Sequence, residues 1–214
     1  MALNDIKKRV LVVAPHTDDG ELGCGGTIAK LIANKAEVFY AAFSICELSV
    51  PAHLPKNILE TEVKNATNLL GIKKDNLIIF RHAVRNFDKH RQQILDDLID
   101  LKKQIKPELV LMPCLNDIHQ DHCVISAESI RAFKHVSVLG YELPWNNLTF
   151  NAQSFVFLGE EHINKKIEAL KCYQSQLNRV YAKEDFIRSL ALIRGAQIGI
   201  KFAEAFEVIR WVVR

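Results

Sequence analysis

The stretch "RVLVVAPHTDDGELGCGGTI", residues 9–28, decides how this chain is read. Residues 9–15 form a continuous, β-branched apolar run. Such a run predicts a strand buried on both faces, the kind found in parallel sheets covered by helices. The run stops at Pro15. His16, Asp18 and Asp19 follow within four residues, and a glycine cluster comes next. Either aspartate alone could cap the helix that should start here. Two adjacent carboxylates beside an imidazole exceed what a cap needs, and like charges packed together are costly unless a cation offsets them. The glycines read as a tight turn and close helix packing. "GCGGTI" lacks the full G-x-G-x-x-G order, so a dinucleotide fingerprint is weak here.

Outward from this stretch, strand-like and helix-like segments alternate. Helical patterning covers residues 22–34, and "EVFYAAFS" (37–44) reads as the second strand. Residues 56–71 are helical and end at Gly71, and "NLIIF" (76–80) is a short third strand. A long amphipathic helix over 88–106 stops before Pro107, and "ELVLMP" (108–113) is the fourth strand. A helix near 122–133 leads to "VSVLGYE" (136–142). A strand at 154–158, helices near 160–176 and 185–200, and the apolar end "FEVIRWVVR" complete the order. Phe202, Phe206, Ile209 and Trp211 read as core. This alternation predicts an α/β fold: a single doubly wound, mostly parallel Rossmann-like sheet with helices on both faces. The sequence has no internal repeat, low-complexity segment or Gly/Ser/Pro linker, so residues 1–214 read as one domain.

A second polar burst ends the fourth strand, in "LMPCLNDIHQDHCVISAE" (111–128). His119 and His122 are three apart, so on a helix they share a face and their rings can converge. Asp121 lies between them. In a doubly wound order 3-2-1-4-5, strands one and four are neighbours, and ligands bind outside the carboxyl ends of the strands. The two bursts then face each other across a crevice. Together they can supply a His–Asp–His metal site with an open position, a set characteristic of catalytic zinc. Carboxylate and imidazole are left over for proton transfer. Spacing alone leaves open which of Asp18 and Asp19 is the ligand.

Composition narrows the function classes. Of 214 residues, 49% are hydrophobic, enough for a sizeable core. The formal net charge is +3 and the basic residues form no run, which argues against a nucleic-acid partner. The five cysteines are odd in number and none are in C-x-x-C spacing, so reduced thiols in a cytoplasmic protein fit better than a disulfide framework. The N-terminal "MALNDIKKRV" lacks the apolar core of a leader, and no apolar run reaches membrane-spanning length.

At the two bursts the sequence resembles the LmbE-like, or PIG-L, family of zinc-dependent N-deacetylases. Its H-P-D-D and H-x-D-H motifs read here "HTDD" (16–19) and "HQDH" (119–122). The segments "GYELPWNN" (140–147), "KIEALKCYQSQ" (166–176) and "RGAQIGIKFAEAFEV" (194–208) resemble members found with bacterial surface-polysaccharide genes. The resemblance implies one zinc ion bound by His16, Asp19 and His122. It implies Asp18 as the general base toward zinc-bound water. It also implies that His119, steadied by Asp121, stabilises the oxyanion or protonates the leaving amine. The substrate implied is an N-acetylated amino sugar or its nucleotide- or lipid-linked conjugate.

The sequence departs from the family pattern in places. Thr17 stands where proline is usual, and Glu21 is shifted by one from its common place. The arginine that many members carry after the second strand is absent, since no arginine lies between Arg9 and Arg81. Arg85, Asn116, Trp145 and Arg194 are the candidate substrate contacts, with Lys56 and Arg91 as further basic groups. A homo-oligomer stays open. Two other readings compete: a metal-dependent phosphoesterase, and a non-enzymatic Rossmann-like nucleotide-binding protein.

Overall fold

The computed structural model describes residues 9–176 and 178–213. The N-terminal residues 1–8, read above as lacking a leader's apolar core, lie outside the described residues. Chain order runs β1 (Arg9–His16), α1 (Asp19–Ala33), β2 (Glu37–Ser44), α2 (Ile58–Leu70), β3 (Leu77–Ile79), α3 (Arg91–Ile105) and β4 (Leu109–Pro113). It continues with α4 (Gln120–Ala132), β5 (Ser137–Tyr141), β6 (Ser154–Leu158), α5 (Glu160–Leu170), α6 (Glu184–Ala196) and β7 (Phe202–Arg210).

All seven strands share one sheet in the order β3-β2-β1-β4-β5-β7-β6. Strands β1 to β5 pair in parallel, as the alternation predicts. β7 runs antiparallel to both β5 and β6. Side chains alternate between the faces of a strand, so β1 feeds two cores. Val10, Val12 and Ala14 join one apolar cluster, with α1, α2 and α5 above it. Leu11 and Val13 join the other, with α3 and α4. Every one of these β1 residues is fully buried, which is why the strand reads as unbroken apolar sequence.

Helix α1 starts at Asp19, earlier than its hydrophobic pattern suggests, and breaks at Cys24, where φ is −145° and ψ 25°. The break is closed by two side chains from distant elements. The Glu204 carboxylate accepts the Gly26 and Thr27 amides at 3.0 and 2.6 Å. Lys166 donates to the Leu22 carbonyl and to Glu204, both at 2.7 Å. The glycines here allow close approach: a Cβ on Gly23 would lie 2.3 Å from the Tyr141 ring, and one on Gly26 would lie 2.5 Å from Leu158.

Two further details depart from the sequence reading. Helix α5 ends at Leu170 rather than near 176, and the chain turns so that the Tyr173 hydroxyl reaches the Thr17 carbonyl at 2.7 Å. Trp211 lies beyond the end of β7 and is 42% exposed, so it is not core as expected.

Candidate metal centre

β1 ends at His16 and β4 at Pro113, on neighbouring parallel strands, so both polar bursts emerge at the same edge of the sheet. From β1 the chain passes directly into α1, with Asp18 at the N-cap and Asp19 in the first turn. From β4 a short loop leads to α4, where His119 is the N-cap and His122 lies in the first turn.

Three acceptor atoms meet between these helix starts. His16 Nδ1 is 3.2 Å from Asp19 Oδ2, His122 Nε2 is 3.2 Å from the same oxygen, and the two nitrogens are 3.2 Å apart. The far side of each ring is held by a carboxylate. Asp121 Oδ2 lies 2.9 Å from His16 Nε2, and Asp117 Oδ2 lies 2.7 Å from His122 Nδ1. Carboxylates only accept, so each outer ring nitrogen is the N–H and each inner nitrogen of a neutral ring carries a lone pair. Two lone pairs and one anionic oxygen therefore point at a common position. Imidazoles backed by carboxylates in this way are typical of metal ligands.

The dimensions fit a small tetrahedral ion. Zinc–nitrogen and zinc–oxygen bonds of about 2.0–2.1 Å imply ligand–ligand edges of about 3.3 Å, close to the three observed separations. The three imidazoles also form a looser group, with nitrogens within 4.8 Å of one another. The His16–Asp19–His122 triangle matches tetrahedral edges better, and His119 stands to its side. Its ring centroid is 4.5 Å from that of His122 and 4.9 Å from that of His16.

Electrostatics agree that the triangle calls for positive charge. Burial acts to lower the His16 pKa, yet the Asp19 charge and the hydrogen bonds to Asp121 and Asp19 carry it up to about 9. Burial likewise opposes charge on His122, but Asp19 and Asp117 carry it up to about 10. Burial alone would raise Asp19, and the two neighbouring imidazoles hold it well below the usual carboxylate range. Protons on the two imidazoles meet this demand. A cation would replace them.

Asp18 and His119 differ from the triangle. Asp18 is half-buried and its carboxylate makes no helix-capping bond. Burial and the Asp19 charge push it up to about 6. His119 Nδ1 accepts the Asp121 amide at 3.2 Å. Burial and the charges of His122 and His16 push its pKa down to about 4. It is therefore neutral near pH 7, with its proton at Nε2. The Asp121 carboxylate lies behind His16, not on the His119 ring where the sequence reading put it.

Behind the ligand loop, buried Glu21 meets the hydroxyls of Tyr40 and Tyr173, and both hydroxyls also contact the Thr17 carbonyl. Burial pushes Glu21 up to about 8 against these bonds. Sequence reading missed Asp117, Tyr40 and Tyr173. Asp117 had a signal, five residues before His122 in the same burst, whereas the tyrosines arrive from β2 and the turn after α5 with no local mark.

The candidate substrate contacts are dispersed. Arg194 is engaged by Glu142 through two nitrogens, and Arg91 by the fully buried Glu128 at 2.8 and 2.5 Å. Each guanidinium is thus held by a carboxylate. Trp145 stacks on Tyr181 with centroids 3.9 Å apart, so one face of the indole is covered. Asn116 and Arg85 are exposed on the loops after β4 and β3.

Comparison with known proteins now decides the family. The sequence matches the family model described as PIG-L, GlcNAc-PI de-N-acetylase, over residues 11–133, which include both bursts. The chain belongs to the PIG-L family. It is 27% identical over 175 residues to a protein named uncharacterized deacetylase YaiS from Escherichia coli K12, covering 79% of this chain and 92% of that protein. Its fold is that of N,N'-diacetylchitobiose deacetylase from Pyrococcus horikoshii, with a TM-score of 0.79 at 23% identity over 96% of this chain and 85% of the other. It is also that of GalB, the 4-carboxy-2-hydroxymuconate hydratase of Pseudomonas putida, at 0.79 and 19% over 97% and 98%. The fold therefore serves more than one reaction, and the reaction of this PIG-L member has to be argued from its site. Among the described residues, no helix is long and apolar enough to cross a membrane.

Proposed function

We propose that the chain is a zinc-dependent N-deacetylase acting on an N-acetylated amino sugar. The observation that carries this reading is the triangle of His16 Nδ1, Asp19 Oδ2 and His122 Nε2, with Asp121 and Asp117 behind its rings. Family membership and the deacetylase names among its relatives support the substrate class. His16, Asp19 and His122 hold the zinc. Bound there, zinc supplies Lewis-acid polarisation of a carbonyl and makes water more acidic.

The remaining groups divide the proton work. The Asp18 carboxylate takes a proton from the attacking water. Its raised pKa suits a base that must later return that proton to the departing amine nitrogen. His119 donates from Nε2 to the acyl oxygen as negative charge builds there, and its neutral state keeps that donor fixed in place. Asp117 and Asp121 hold the ligand rings in one orientation and tautomer. The C–N bond breaks, water is consumed, and acetate and a free amine result.

The phosphoesterase reading would need a second metal. Asp117 and Asp121 are occupied by the ligand imidazoles, so one ion is the expected load. The test is elemental analysis of the wild type and His122→Ala, followed by acetate release from N-acetylhexosamines. About one zinc per chain, lost in the variant, with acetate release that depends on it, would support the reading. Protein that takes up no zinc, or two ions per chain, would overturn it.

A further inference from the structure

The loop after β3 is tied to the metal centre. The Arg85 amide donates to Asp121 Oδ2 at 2.7 Å, the same oxygen that holds His16 Nε2. Gln120 Nε2 donates to the Arg85 carbonyl at 3.2 Å. Both polar groups of this residue's backbone are thus fixed by the first turn of α4, and the root of its side chain lies two hydrogen bonds from the His16 ring. Arg85 has φ +64°, a left-handed conformation that non-glycine residues adopt rarely. Such strain persists where the surroundings impose it, and it clusters at ligand-contacting positions.

The Arg85 guanidinium is exposed and pairs with none of the described residues. Three other arginines are engaged: Arg81 by Glu47 and Glu60, Arg91 by Glu128, and Arg194 by Glu142. A backbone clamped at a metal centre, in a disfavoured conformation, presents the unpaired cation. A guanidinium offers a planar fork of donors that matches a phosphate or carboxylate.

We infer that Arg85 is a specificity-determining residue that binds an anionic group, phosphate or carboxylate, on the N-acetylated sugar. This rests on the deacetylase reading above and narrows its substrate class to anionic amino sugars.

The test uses the full-length, zinc-loaded chain and three substrates: N-acetylglucosamine 1-phosphate, N-acetylmuramic acid with its carboxylate, and neutral methyl N-acetylglucosaminide. The wild type should favour at least one anionic substrate in kcat/KM by about tenfold to a hundredfold, the range expected of a hydrogen-bonded charge pair. The arm that shows the preference identifies the anion. Arg85→Ala should bring the ratio near one, chiefly through KM, and Arg85→Lys should restore part of it. Arg85→Gly accepts the left-handed backbone without strain and should behave as Arg85→Ala does. Lys73→Ala, on an exposed lysine before β3 at the opposite edge of the sheet, should keep the wild-type ratio, and zinc content should stay at the wild-type level throughout.

A wild-type ratio near one, or a preference that survives in Arg85→Ala, overturns the inference. If no sugar releases acetate, the deacetylase reading fails, and calorimetry of glucosamine 1-phosphate against glucosamine still judges Arg85. Tighter binding of the phosphate, lost in Arg85→Ala, would uphold the anion site, and equal binding would overturn it.

Discussion

Two clusters of buried charge lie along helix α1, one at its start and one at the break near Cys24, and they differ in how they close. At the break near Cys24, both buried charges have partners. Lys166 meets Glu204 and the Leu22 carbonyl, and Glu204 meets two amides besides. At the start of the same helix, His16, Asp19 and His122 turn acceptors toward one another at 3.2 Å. The first arrangement is complete and serves to hold a kinked helix. The second is complete only with positive charge at its centre. Buried charge alone does not mark a functional site, because unsatisfied convergence is what separates the two.

The sharpest way to break this contrast is Asp19→Ala. The variant should lose its zinc and fall to background acetate release, read by elemental analysis and assay. Stoichiometric zinc in this variant would show that the triangle is not the site. Lys166→Met should leave Glu204 buried and unpaired, costing about 3–5 kcal/mol in urea unfolding while zinc content stays unchanged. The double variant Lys166→Met/Glu204→Gln should recover part of that loss, and a single-variant cost near zero would mean the pair does not hold the kink. His119→Ala should lower kcat by about 100- to 1000-fold with the metal retained, and a variant stripped of metal would make His119 a ligand. Asp117→Asn should weaken zinc binding by about 10- to 100-fold in chelator competition, the smallest effect of the four. Unchanged affinity would show that the carboxylate behind His122 does not tune it.

The fold was legible because its central strands are buried on both faces. β2 and β6 fall where the sequence reading places them, and β1 and β4 differ by one residue at an end. The pairing of β1 with β4 followed from doubly wound order, and that pairing brought the two bursts together. The antiparallel insertion of β7 between β5 and β6 was not legible, since "FEVIRWVVR" carries no sign of its neighbours. At the site, His16, Asp18, Asp19, His119 and His122 stood out as polar residues placed after apolar strands. Their supports did not. Tyr40 and Tyr173 look like core tyrosines in sequence, and only the fold brings their hydroxyls to Thr17 and Glu21. The pairing of Arg194 with Glu142 was hidden as well, since the two lie 52 positions apart.

His16 ends β1, and Asp19 and His122 sit in the first turns of the helices that follow β1 and β4, one parallel pair; among the described residues, the loops after β2, β3 and β5 contribute none of the three converging atoms. The spacing of the converging atoms is thus inherited from the hydrogen-bond ladder of the sheet, about 4.8 Å between neighbouring strands. Groups that would meet a substrate sit on segments that can lengthen, shorten or exchange residues without disturbing that ladder. The architecture separates chemistry from selectivity, so new substrates can be acquired in evolution by loop change alone while the reactive centre stays as it is.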